Sequence, residues 1–261
     1  MRSLICLLTM CCFFFIGASH PRNQRDLMFQ ESIIESLLRG NYHGVLTIGE
    51  LKKKGDFGLG TFDSLDGEMV VLDGDVYKIK DTGVPILVND DESTPFASVT
   101  FFETDRRIDL GAGIGCKEIE VKLKSLFPSE NIFYAIKIEG DFDRLRMRSV
   151  PKQTEPFVPL VDVLDKQTVF NHNDLSGTMV GFWVPDYMRE ISVAGFHFHF
   201  ISKDRKVGGH VLDCTIKNVR VDIDDGNGFE VSLPDDKSFL NINLLGKDLK
   251  SDYKQFLNKE N

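Results

Sequence analysis

Aromatic apolar residues alternate with histidines through residues 196–200, FHFHF, within the run GFHFHFIS at 195–202. A β-strand there places Phe196, Phe198 and Phe200 on one face and His197 and His199 on the other. The polar run SKDRK that follows predicts a reversal, after which GGHVLDC pairs antiparallel with the first strand. With Asp204 and Arg205 as a two-residue loop, paired positions sum to 409, so His210 stands opposite His199 and diagonal to His197. A slip of one residue would send His210 to the phenylalanine face.

Elsewhere the period of the pattern changes. Ile33, Ile34, Leu37 and Leu38 form a helical stripe stopped by Gly40, which predicts a helix over Leu27–Arg39. Asp66-Gly67 and Asp73-Gly74 bracket the run Glu68 to Leu72 and predict a hairpin within a β-rich meander. A second helix is expected in CKEIEVKLKSLFPSE, apolar at Ile119, Leu123, Leu126 and Phe127 and ended by Pro128. Strands resume after Asn131, with a turn at Gly140 and an end at Pro151. Pro151, Pro156 and Pro159 mark a crossing between two halves, further strands start at Thr168, and a polar helical tail closes the chain. Strands with three peripheral helices give an α+β class.

The chain has 261 residues, 42% of them hydrophobic, enough for a sizeable core in one or two domains. Its net charge of −9 disfavours nucleic acid and anionic membrane as partners, so an anionic substrate needs a local positive patch. Arg2, the apolar run Leu4 to Ile16 and the small residues Gly17, Ala18 and Ser19 match a secretory signal peptide cleaved after Ser19. The mature protein is therefore expected to be secreted (extracellular, periplasmic or lumenal), with no membrane attachment after cleavage. The predicted division is residues 1–19, 20–155 and 156–261. Cys6, Cys11 and Cys12 leave with the signal; between the remaining Cys116 and Cys214 the compartment permits a disulfide.

Three imidazoles at hairpin distance suggest a metal centre with open coordination positions, the catalytic rather than the structural zinc pattern. Imidazole ligation without thiolate also suits copper, nickel or iron(II). His20, His43 and His172 lack such company and read as surface residues. Arg144, Arg146 and Arg148 share one strand face that is mostly solvated, yet Arg148 lies beside the strand end, where a guanidinium suits a substrate carboxylate. Glu68 is either an exposed glutamate at a strand start or, if buried beside a metal, a proton donor.

The segments GVLTIGELKKKGDFGLGTFDSLDGEMVVLDGDVYKI, TPFASVTFF, NIFYAIKIEGDF, RSVPKQ, GTMVGFWVPDY and GFHFHFISKDRKVGGHVLD resemble, in order and spacing, the bacterial α-acetolactate decarboxylase family. The resemblance implies a zinc enzyme that converts 2-acetolactate to acetoin and carbon dioxide. It also implies a two-domain homodimer of mixed β-sheet and barrel-like β-structure. Carried over by motif, the zinc ligands are His197, His199 and His210, the catalytic acid is Glu68, the substrate-orienting arginine is Arg148, and Thr61 lies at the active site. The family's C-terminal active-site glutamate falls on Glu260. Two other readings use the same histidines: a cupin-like iron or copper oxygenase, and a non-catalytic secreted metal- or carbohydrate-binding β-protein.

Overall fold

The computed structural model describes residues 26–244 and 253–256. The first half of the chain forms β1 (Leu27–Glu31), α1 (Ile34–Leu38), β2 (Leu46–Thr47), α2 (Ile48–Leu51), β3 (Phe57–Thr61), β4 (Glu68–Leu72), β5 (Asp75–Ile79), β6 (Pro85–Leu87), β7 (Ser93–Thr94) and β8 (Ala97–Thr100). It continues as β9 (Arg106–Leu110), α3 (Cys116–Leu126), β10 (Phe133–Ser149), α4 (Leu160–Leu164), β11 (Thr168–Val184), β12 (Gly195–Ser202), β13 (Gly208–Gly226), β14 (Gly228–Ser232) and α5 (Lys237–Asn241).

Seven strands make one sheet in the order β14-β1-β8-β3-β4-β5-β6, parallel between β1 and β14 and antiparallel elsewhere. A second sheet runs β10-β11-β12-β13-β9, and β10 pairs with β13 as well, so β10, β11, β12 and β13 close on themselves as a barrel. A small ladder joins β2 to β7. This is the expected α+β class with barrel-like β-structure and short peripheral helices. The residue-155 region lies between β10 and β11, both barrel strands, and β14 returns to the first sheet, so both sheets draw on chain from either side of it.

Strand parity decides what faces what. Tyr134, Ile136, Ile138, Phe198, Phe200 and Ile216 fill the barrel. Their alternates Phe133, Ala135, Val180, Phe182 and Ile201 point outward and pack on Phe57, Leu59, Val70 and Leu72 of the first sheet. Each such fully buried side chain contributes about 1.5–3 kcal/mol, so the two layers are held face to face chiefly by apolar burial. Covalently, Cys116 at the start of α3 is joined to Cys214 of β13, their Cα atoms 5.0 Å apart.

Several sequence expectations hold and two fail. Asp73 (φ 53°) and Gly74 (φ 81°) supply the two left-handed residues of a tight hairpin between β4 and β5. α3 buries Ile119 and Leu123 as predicted. The helix expected over Leu27–Arg39 is instead a strand and a five-residue helix, Ile34–Leu38, separated by Ser32 at φ 63°. β1 is a strand because β14 and β8, distant in sequence, offer ladders on both its edges, and such pairing overrides local propensity. Gly140 makes no turn: it sits inside the continuous β10 at φ 151°, where an added Cβ would lie 2.2 Å from the Asn218 carbonyl oxygen of β13. Glycine is required there by close strand approach. Of the predicted C-terminal helix, residues 253–256 are helical, and Glu260 lies outside the described residues.

Candidate active site

The β12–β13 hairpin has the register read from the sequence: His199 pairs with His210, Phe200 with Gly209 and Ile201 with Gly208. The same row extends one strand further, because His210 is also the partner of Arg148 across β13 and β10. His197 and His199 share parity with Ile201, the residue that faces the first sheet, so the imidazoles emerge between the layers. Ligand atoms of His197, His199 and His210 all lie within 4.8 Å of one another, and His197 Nε2 stands 3.1 Å from His210 Nδ1.

His199 is the most tightly oriented of the three. Its Nδ1 lies 2.7 Å from the carbonyl oxygen of Met69 in β4, to which it donates. Nε2 is then unprotonated; it is buried and has no hydrogen-bond partner among the described residues. A buried lone pair left in this way fits a metal ion, and a carbonyl-anchored imidazole is how proteins orient metal ligands. Desolvation brings the His199 pKa down to about 3, opposed by the Met69 hydrogen bond and helped by nearby Arg148. Desolvation, with His199 and Arg148 close by, also holds His197 well below its ordinary 6.5. Both rings are therefore neutral, the form that binds a cation.

From the facing layer comes the carboxylate. Glu68 begins β4 with the parity of Val70 and Leu72, so it points at the barrel, and its side chain is only 7% exposed. Glu68 is thus buried, not an exposed glutamate at a strand start. Arg148 Nη1 donates to Glu68 Oε1 at 2.7 Å, and Glu68 Oε2 lies 3.5 Å from His199 Nε2. Arg144 and Arg146 are exposed on the same strand; Arg148 alone is covered because the first sheet overlies this end of β10. Two cross-layer bonds flank the pair: His199 to Met69, next to Glu68, and Ser149 Oγ to the Ile79 carbonyl at 2.8 Å, next to Arg148. Ile79 is itself the ladder partner of Glu68. Thr61, opposite Glu68 on β3, donates from Oγ1 to the Gly67 carbonyl at 2.7 Å and so fixes the turn from which Glu68 projects.

These groups line one side of a cavity of about 50 Å³ that takes in Thr61, Glu68, Arg148, His197 and His199. Its other walls are apolar and come from α1, α4 and the helical turn at residues 253–256. Sequence reasoning missed α4, treating the segment as a linker, although Leu160, Val163 and Leu164 carry an i, i+3, i+4 stripe. It also missed Met69, whose contribution is a backbone carbonyl and leaves no sequence signal. His197 faces a second, wider cleft as well, about 600 Å³, bounded by Trp183, Tyr187 and Phe196.

The sequence profile described as alpha-acetolactate decarboxylase matches residues 28–245. This chain belongs to the alpha-acetolactate decarboxylase family. A relative named alpha-acetolactate decarboxylase from Methanosarcina mazei is 43% identical over 230 residues, 88% of this chain and 80% of that one. The crystal structure of alpha-acetolactate decarboxylase from Bacillus subtilis superposes with a TM-score of 0.85 at 38% identity, covering 88% of this chain and 98% of that one. A Staphylococcus aureus protein of unknown function, described as similar to alpha-acetolactate decarboxylase, gives a TM-score of 0.84 at 31% identity, covering 88% and 99%. The family match thus takes in both sheets and the whole polar side of the cavity.

Proposed function

We propose that this protein decarboxylates 2-acetolactate to acetoin and carbon dioxide, with a zinc ion held by His197, His199 and His210. The observation that carries the reading is the meeting, in a member of this family, of three clustered imidazoles with a buried carboxylate and guanidinium on one cavity. Three nitrogen donors suit a catalytic zinc with positions left for substrate oxygens. When bound, the ion supplies Lewis-acid stabilisation of the negative charge that builds on substrate oxygen as carbon dioxide departs.

The remaining work falls to the chain. Arg148 offers a planar fork of donors to the substrate carboxylate and supplies the positive charge that an acidic protein otherwise lacks. Held there, the scissile bond stands across the plane of the neighbouring carbonyl, so its electrons pass into that carbonyl as the bond breaks. Glu68, once protonated, delivers a proton to the resulting enediolate carbon from one face, which makes the product chiral. Apolar walls keep bulk water from competing for that carbon. Thr61 acts on position only, through the Gly67 turn.

We read the chain as an exported form of this enzyme. The signal-like segment 1–19 lies outside the described residues, and the Cys116–Cys214 disulfide supports export, since such bonds persist in oxidising compartments.

The deciding experiment incubates the mature protein with racemic 2-acetolactate and follows acetoin and carbon dioxide, with metal analysis and with or without a chelator. Acetoin formation that tracks zinc content is expected. Zinc-loaded, folded protein that makes no acetoin overturns the activity, and full turnover in metal-free protein overturns the zinc assignment.

A further inference from the structure

The cavity is polar on one side and apolar on the other, and in the chemistry above the apolar side serves only to exclude water. Opposite Glu68 and Arg148 stand Ile34 and Leu37 of α1, Leu160 and Leu164 of α4, Val193, and Phe256. All six belong to one buried apolar cluster. Phe256 reaches it from the C-terminal turn, which is pinned by Tyr253: the Tyr253 hydroxyl accepts a hydrogen bond from the Ala194 amide at 2.8 Å, beside Val193. Phe256 is 3% exposed and Tyr253 8%.

We infer that Phe256 and Leu164 set the length of alkyl group that the site accepts on a 2-hydroxy-3-oxo acid. The inference rests on the decarboxylase reading and narrows it to short-chain members of that substrate class. Its argument is geometric. The carboxylate of such an acid is drawn to Arg148 and its two other oxygens to the zinc that the imidazoles would hold, so its alkyl substituents are left facing the apolar wall. The cavity of about 50 Å³ takes only a few water-sized groups, since one such group needs roughly 10–15 Å³ on that measure. A methyl group fits, whereas each further methylene must displace a close-packed side chain. Leu164 is held within a helix, and Phe256 is held by Tyr253, so neither yields without loss of its own contacts.

The test compares 2-acetolactate with its homologue carrying propyl in place of the C2 methyl, on wild type, Phe256→Ala and Leu164→Ala. In wild type kcat/KM should favour the methyl substrate by about tenfold or more, the discrimination typical of a tight apolar pocket, and each variant should narrow that preference by about tenfold. The same ratios are read without turnover from calorimetric affinities for the two carbonyl-reduced, non-reacting analogues, which keeps the test valid if a variant loses catalysis. A methyl preference that stays within about twofold of wild type in both variants, by both measures, overturns the inference. Wild-type protein that leaves 2-acetolactate unconverted overturns instead the decarboxylase reading.

Discussion

Arg148 and Glu68 lie 80 positions apart, yet the guanidinium donates to the carboxylate at 2.7 Å, in a site where both side chains are less than a tenth exposed. Their meeting depends on two layers being stacked in one register, because Arg148 belongs to the barrel and Glu68 to the open sheet. Glu68→Gln keeps the volume and an oxygen that can accept from Arg148 while removing the acid. Turnover should fall about 10²–10⁴-fold with metal content unchanged, as read by acetoin production and elemental analysis.

Arg148→Ala should behave differently. It leaves a buried carboxylate without its cation, so stability should drop by about 3–5 kcal/mol in denaturant unfolding, alongside loss of turnover. Arg148→Lys retains charge without the planar fork and should recover more stability than activity.

Removal of an imidazole tests the metal assignment. His197→Ala and His199→Ala should each lose bound metal and turnover together, while His43→Ala, at a position 40% exposed beside Glu155, should lose neither. Metal retained at full occupancy in His197→Ala would sink the ligand assignment.

These positions also show what the sequence could reveal. Parity and hairpin arithmetic place His197, His199 and His210 because the interaction is local: sixteen or fewer residues and one loop decide it. Burial of Glu68 and Arg148 is not local. Each sits on its strand beside residues that are apolar or solvated in ways that fit either outcome, and only contact between distant layers chooses. The strand nature of Leu27–Glu31 was hidden for the same reason, since its partners begin at Ala97 and Gly228. Glu260, named by resemblance, lies beyond the described residues, whereas Phe256 a little before it lines the cavity.

The disulfide closes a loop with a sequence separation of 98. By chain entropy a crosslink over about 100 residues is worth about 4.7 kcal/mol, with measured cases usually 2–5. Reductant, or Cys116→Ser with Cys214→Ser, should lower the melting temperature markedly while acetoin production near 25 °C persists, because neither sulfur belongs to the polar side of the cavity.

Stability should also depend on pH through Glu31. Burial within the first sheet lifts its carboxyl from the ordinary 4.5 to about 7, against the lowering hydrogen bond from Ser232 and with a smaller push from Glu50. Below 4.5 the group is neutral whether the chain is folded or not, so its contribution is intact; as pH rises from 4.5 through about 7 the unfolded chain ionises first and stability is lost. Glu31→Gln cannot ionise and should flatten that limb in melting curves taken from about pH 4 to about pH 8. Asp224, lifted to about 7 mainly by burial, keeps part of the slope with the same sign. An unchanged pH profile in Glu31→Gln would contradict the assignment.

The acceptor that orients His199 is the main-chain carbonyl of Met69, not its side chain. Every amino acid brings that oxygen, so point mutation at position 69 can alter packing volume but cannot delete the contact. The aim of the most constrained imidazole is thereby insulated from heritable change at its partner position. Of the two residues, only His199 brings a side chain to the contact itself.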